Sequence, residues 1–441
     1  MTIVGDAAPT IDALAEFAAT ASGAAHRERI SVHTADAVIA LLAGRSSPEG
    51  RAIADFLART ESSPLATISA NAAAMRLSEI DDIHRASAVT ASAITLPSAL
   101  AMAPLSSAQP QRFADAVFVG QELAVRLALS LGGASLLAKG IWPSYLVAPF
   151  GAAATAARML GLPPARMRHA LALALAQTPR AVGRSAGQRP GRWLLFGNAI
   201  RSGCLAALAA ADGIDGDPDL LNSAWLEAVG GTTVDAGMLI ASAGPSASIQ
   251  QFSIKPNCAA KQTLAAVHGL RLLMADGLDP AAVESIEVSV PTAYAAMIDR
   301  EPPSAGRLAS MVSVRWQLAL AALQPALLDD VARDPLPVDA ALEAFAARVS
   351  VRGDATLDCW YPQTWPARLR VNAGGTHREI LVKDSPGDPA LRFGVSEVED
   401  KARRVLAAHP AAYLVARGFE APLKMAALHD LCKHFGTFPE P

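Results

Sequence analysis

Residues 79–97 read EIDDIHRASAVTASAITLP. Three carboxylates, Glu79, Asp81 and Asp82, stand within four positions, His84 and Arg85 follow at once, and no further charge occurs until Arg112. Two readings fit such a cluster at the entrance to an apolar run. Acids near a helix N-terminus complement the backbone dipole, so it reads as an ordinary helix start. Titratable groups gathered beside an apolar wall also form catalytic rims. The uncharged run itself, residues 86–111, holds repeated Ser and Thr with Pro97, Pro104 and Pro110. It is rich in Ala rather than Leu, which predicts buried helix and not a bilayer span.

Composition bounds the rest. A chain of 441 residues is long for one core and predicts two domains. With 51% hydrophobic and 18% charged residues the chain is not expected to be disordered. A net charge of −3 argues against a nucleic-acid partner or an anionic membrane surface. The cysteines, Cys204, Cys258, Cys359 and Cys432, lie far apart without metal-ligand spacing. They predict reduced thiols in a cytoplasmic protein and no metal site. The opening, MTIVGDAAPTIDALAEF, lacks a basic region before an apolar core, so no signal peptide is read there.

Along the chain, helical periodicity marks residues 11–21, 34–42, 48–57, 69–78, 96–102, 113–131, 150–160, 165–177 and 194–211. Residues 139–149 and 178–192 read as loops, and no strand is predicted before residue 263. The texture then changes. VESIEVSV at 283–290 alternates like a strand, 348–351 is a short strand, and 368–372 with 377–383 flank Ala373-Gly374-Gly375 as a hairpin. The predicted fold is a large all-α domain, residues 1–262 and 395–441, with a smaller inserted α+β lid domain, residues 263–394.

Residues 183–187, GRSAG, fit the spacing of a hydrolase nucleophile elbow, but that motif needs a strand before it, and the residues upstream read as helix. There is no HExxH, P-loop or GxGxxG, and no cofactor is expected. FSIKPNCAAKQT at 252–263 is more informative. Lys255 sits in an uncharged run from residue 245 to 260, and a lysine drawn out of water becomes a usable base near neutral pH. Tyr145, one of four tyrosines, is read in a loop at a helix entrance, where packing with one hydrogen bond is the plainer role and acid–base work the sharper one.

Several of these stretches resemble the MmgE/PrpD family, whose members include 2-methylcitrate dehydratase, cis-aconitate decarboxylase and iminodisuccinate epimerase. Asp81, Asp82, His84, Ser87, Val89 and Pro97 fall in register with a family segment of the form DFDDTHPGSVVHPGAVVVP. Lys255, Pro256 and Thr263 match FKPYPCCRYTH, with Lys261 at its arginine. GIWPSYLVAPFG at 140–151 is similar to GFHPTGTAGAFG, residues 192–207 to KRLHAGRAAQSGLLAA, and RLASMVSVRWQLALAAL at 307–323 to RLASRFSIPYAVAVALL. The departures concentrate on imidazoles: Thr90, Trp142, Leu195 and Leu264 stand where the family segments have histidine, and Trp316 stands at a tyrosine.

The resemblance implies a cytoplasmic homodimer acting on a small polycarboxylate without metal or cofactor. With those histidines replaced, the expected reaction is epimerisation at a carboxylate-bearing carbon, with iminodisuccinate as the concrete substrate. Lys255 and Tyr145 are the expected bases, beside His84 and Asp81. Arg184, Arg192, Lys261, Arg315 and Thr90 are the expected substrate-binding groups. Two alternatives stand beside it: a hydro-lyase or decarboxylase on a citrate- or aconitate-like tricarboxylate using His84 and Asp81, and a non-catalytic carboxylate-binding relic.

Overall fold

The computed structural model describes residues 8–436 apart from 62, 64, 107–108, 179–188, 231–236, 241–246, 301–305, 334–338 and 408. Among the described residues nine helices lead: α1 Ala8–Thr20, α2 Arg27–Arg45, α3 Pro48–Thr60, α4 Ala66–Ser78, α5 Ser92–Met102, α6 Pro110–Ser130, α7 Pro143–Leu160, α8 Pro164–Leu175 and α9 Gly191–Ala211. α2, α4, α5, α6 and α7 are buried almost throughout, because Ala and Gly at their contacts let backbones approach closely. Gly197 of α9 is the clearest case. A Cβ there would lie 2.3 Å from the Ser69 carbonyl oxygen of α4. The α4–α9 contact matters because Arg76 ends one helix and Arg192 begins the other.

The α+β part forms a four-stranded mixed sheet of β3 Val283–Val290, β4 Val349–Gly353, β5 Ala367–Ala373 and β6 Thr376–Val382 in the order β4-β3-β5-β6. β3 and β4 are parallel; β5 pairs antiparallel with β3 and with β6. Gly374 and Gly375, both at positive φ (54° and 74°), make the β5–β6 turn that the sequence predicts. The helices Lys261–Ala275 and Val314–Leu323 supply Leu270, Leu273, Trp316 and Leu320 to a second core with Ile286, Val288, Leu369 and Val371. The helical run over residues 307–323 is broken: Arg307–Ser310 ends, and Ser313 caps a new helix by accepting the Trp316 N–H.

The two cores interlock at their margins. Ile83, Ala88 and Ala134 from the leading part join the second core, and Leu308, Met311 and Val331 join the first. Val398, Leu414, Leu428 and Phe435 of the last three helices also belong to the first core.

Three local expectations are corrected. The acidic cluster does not open a helix. It follows the C-terminus of α4, where Glu79 takes the left-handed conformation (φ 52°), and every member is buried. Strands do occur before residue 263: Ile83–His84 (β1) pairs antiparallel with Phe252–Ser253 (β2), with Ile83 opposite Ser253 and His84 opposite Phe252. α7 starts at Pro143 and continues through Pro149, so Tyr145 lies in its first turn rather than in a loop.

The close approach at Gly197 gives a stability prediction. Gly197→Ala gains helix propensity, up to about 1 kcal/mol, yet the new methyl meets backbone that has no rotamer to yield. The expected net result is a loss of about 1–3 kcal/mol in urea unfolding.

Candidate active site

The β1–β2 ribbon brings the two informative stretches side by side. Two residues beyond β2, Lys255 turns inward with its side chain 2% exposed. Its Nζ donates to the Glu79 backbone carbonyl (3.2 Å), to Glu79 Oε2 (3.1 Å) and to Asp81 Oδ1 (3.3 Å). Arg76, on the last turn of α4, closes the cluster from the other side with a direct hydrogen bond to Asp81 and an approach of 3.6 Å to Glu79. Burial works to raise the Glu79 carboxyl, but Lys255, Arg76 and Arg192 outweigh it and hold it below the ordinary range.

This cluster forms one wall of a cleft that Arg76, Glu79, Thr90, Arg192, Lys255 and Lys261 line together. The space open to solvent in this cleft is only about 30 Å³. That is room for a water and far below the usual size of a ligand pocket, so a ligand must part the walls. Arg192, at the start of α9, packs its guanidinium over the rings of Trp193 (4.0 Å) and Trp142 (4.6 Å). Its buried Nε and Nη1 have no hydrogen-bond partner among the described residues, and burial lowers its pKa to about 10. Buried donors left without an acceptor are costly, and a ligand carboxylate would satisfy them. Lys261, equally buried, is held by Asp388 Oδ2 and Ser385 Oγ, each at 3.0 Å. Burial lowers the Lys261 pKa and Asp388 opposes it. Thr90 and Ser144 face each other across 3.3 Å, and the Ser144 hydroxyl donates to the Ala88 carbonyl.

Lys255, Lys261, Arg192 and Thr90 therefore share one cleft, and other candidates lie elsewhere. Asp81 stands behind Lys255 rather than on the cleft surface. Tyr145 packs flat against Trp193 and edge-on to Phe196, and its hydroxyl donates to the Arg192 backbone carbonyl. Burial raises its pKa, so it is a poor base, and it does not line the cleft. Arg315 is spent on Asp299 (2.7 and 3.0 Å) and the Val349 carbonyl, at the β4 side of the second core. Arg184 and the whole GRSAG stretch lie outside the described residues. His84 is buried against Phe252 with its Nδ1 2.9 Å from Ser87 Oγ, and it does not line the cleft.

The sequence reading missed Arg76, Ser144, Gln262, Met297 and Trp365 as lining residues. Only Arg76 carried a signal, since three residues before Glu79 is one helical turn.

A helical layer joined to a small mixed sheet, with a cation-lined cleft beside the β1–β2 ribbon, defines a two-part fold. The first part, residues 12–230, matches the family model described as the MmgE/PrpD N-terminal domain, and residues 258–417 match the MmgE/PrpD C-terminal domain. The chain belongs to the MmgE/PrpD family. The second match runs across the helix Val395–Leu406, which packs on α2, so the family segment and the buried core do not share a boundary. Two curated relatives, both cis-aconitate decarboxylase of Aspergillus terreus (one from strain NIH 2624 / FGSC A1156), are 30% identical over 171 residues. That match covers 37% of this chain, and the chain spans about a third (34%) of the length of those relatives.

Burial, aided by Arg85, drives the His84 pKa down from 6.5 to about 4. A depressed pKa contributes stability above the unfolded value that is lost as pH falls through the folded one. Between pH 7 and pH 4 the native protein is expected to lose roughly 2–4 kcal/mol through this group. His84→Gln, which cannot titrate, should therefore show a shallower decline in urea-unfolding stability across that window. Parallel curves would refute it.

Proposed function

We propose that the chain is a lyase acting on a small polycarboxylate, by decarboxylation or by loss of water, through proton transfer at Lys255. The observation that carries this reading is the seating of the Lys255 ammonium between Glu79 and Asp81 on the wall of a cleft that also presents Arg192 and Lys261. The cations hold the substrate's carboxylates and stabilise the charge that develops on them, in a site with little room for water. In a decarboxylation the breaking C–C bond leaves its electrons on the substrate, carbon dioxide departs, and Lys255 delivers a proton to carbon. In a dehydration Glu79 takes the Cα proton, Lys255 protonates the leaving hydroxyl, and the pair of electrons from the C–H bond becomes the alkene.

The cis-aconitate decarboxylases to which the chain is similar support the lyase class. Epimerisation of a substrate such as iminodisuccinate uses the same first proton transfer but needs a second base on the opposite face. Tyr145, the base expected there, directs its hydroxyl at the Arg192 carbonyl, which favours the one-sided chemistry of a lyase.

Proton NMR in deuterated buffer with cis-aconitate, 2-methylcitrate and single stereoisomers of iminodisuccinate tests the reading. A new alkene or loss of carbon dioxide is expected, with kcat down by about 10²–10⁴-fold in Lys255→Ala and little changed in Tyr145→Phe. Deuterium at Cα with loss of optical purity and no net conversion would overturn the lyase in favour of the epimerase. Binding without any turnover would leave a carboxylate-binding protein.

A further inference from the structure

The cleft is two-faced. Its floor is charged, with Lys255 and Lys261 each 2% exposed and Arg76 3% exposed. Its other wall is hydrocarbon. Leu137, Trp142 and Met297 line the same cleft and are half-buried, and Val312 and Trp365, which line it with them, are buried. Trp142 meets Trp193 edge-on at 6.2 Å and carries the Arg192 guanidinium over its ring at 4.6 Å, which holds the indole in place. Met297 is the adaptable part: its sulfur lies 3.4 Å from Gln262 Nε2, and an unbranched thioether can shift rotamer to admit a guest.

A compact tricarboxylate would satisfy the cations and leave the hydrocarbon of Leu137, Met297 and Val312 without an apolar partner. A molecule carboxylated at one end and apolar at the other satisfies both faces. Resting on the polycarboxylate reading above, we infer that the substrate of this site carries an apolar substituent larger than a methyl group. Its carboxylates lie on the Arg192–Lys255–Lys261 side, and its substituent lies along Leu137, Trp142 and Met297. The replacement of a family histidine by Trp142 is then a specificity change, exchanging a hydrogen-bonding ring for a larger apolar one.

The test is calorimetric binding of succinate and a series of 2-alkylsuccinates, from methyl to hexyl, to the full chain. Binding needs no turnover, so it separates this inference from the reaction assigned above. The expected result is an affinity that rises about two- to fourfold per methylene over the first several members, with the rise flattened in Met297→Ala and in Leu137→Ala. Two variants are used so that a folding failure in one leaves the other to decide. Affinity that is flat or falls with chain length in the native protein, while succinate binds, would overturn the inference and leave the polycarboxylate site standing. No binding by any member would remove both.

Discussion

The burial of one ammonium group organises this molecule. Lys255 and the residues that hold it, Glu79 and Asp81, are more than 170 positions apart in the chain, and all three are shielded from water. An isolated charge in such a place costs several kcal/mol, so the lysine is tenable only while both carboxylates and the Glu79 carbonyl are in place. The carboxylates are in turn tenable only with Arg76 beside them. Each member is the condition for the others. The surrounding elements supply the required geometry: α4 ends on a left-handed Glu79, the β1–β2 ribbon sets the register of residue 255, and Cys258 donates to the Ser78 carbonyl at 2.9 Å. A glutamate at φ 52° carries backbone strain of about 1–2 kcal/mol and persists because its surroundings over-determine it.

Much of this is legible in the sequence. The leading helices, the 283–290 strand and the Gly374-Gly375 hairpin follow from period and turn chemistry, because those patterns are local. Lys255 stood out because an uncharged run around a lysine signals a buried one, and Arg192 and Lys261 because their segments resemble family segments. The β1–β2 ribbon was not legible, since two residues per strand cannot show a period of two. Arg315 misled for a related reason. A cation in an apolar helix looks like a ligand for substrate, but Asp299, sixteen positions earlier and on a different turn of chain, takes its charge. Tyr145 misled because residues 139–149 read as a loop where α7 in fact starts at Pro143, which turns the hydroxyl toward α9.

The missing imidazoles take on a different meaning once the cleft is seen. His84, which the sequence does retain, is buried outside the cleft, with its pKa pressed to about 4, so it is neutral across the physiological range and serves the ribbon. Position 142 has become the indole over which Arg192 is spread, and position 90 a threonine facing Ser144. The protein therefore relies on ammonium and guanidinium groups where an imidazole would otherwise be expected. Such groups bind anions and stabilise developing negative charge.

The tail of the chain bears on the same turn. Lys401, on the helix Val395–Leu406 and fully buried, donates to Asp36 Oδ1 of α2 (2.6 Å) and to the Ile80 carbonyl (2.8 Å). Ile80 lies between Glu79 and Asp81, so this second buried ammonium grips the backbone of the segment whose side chains grip the first. Burial raises the Asp36 carboxyl to about 6 despite Lys401, and its Oδ2 has no hydrogen-bond partner among the described residues. Well-packed apolar residues in place of such a pair are often as stable or more so, which makes net stability a weak reason for it. An apolar side chain, however, could not bond the Ile80 carbonyl. What the pair supplies is direction: it fixes a strained turn against relaxation, and through that turn it fixes the two carboxylates on which Lys255 depends.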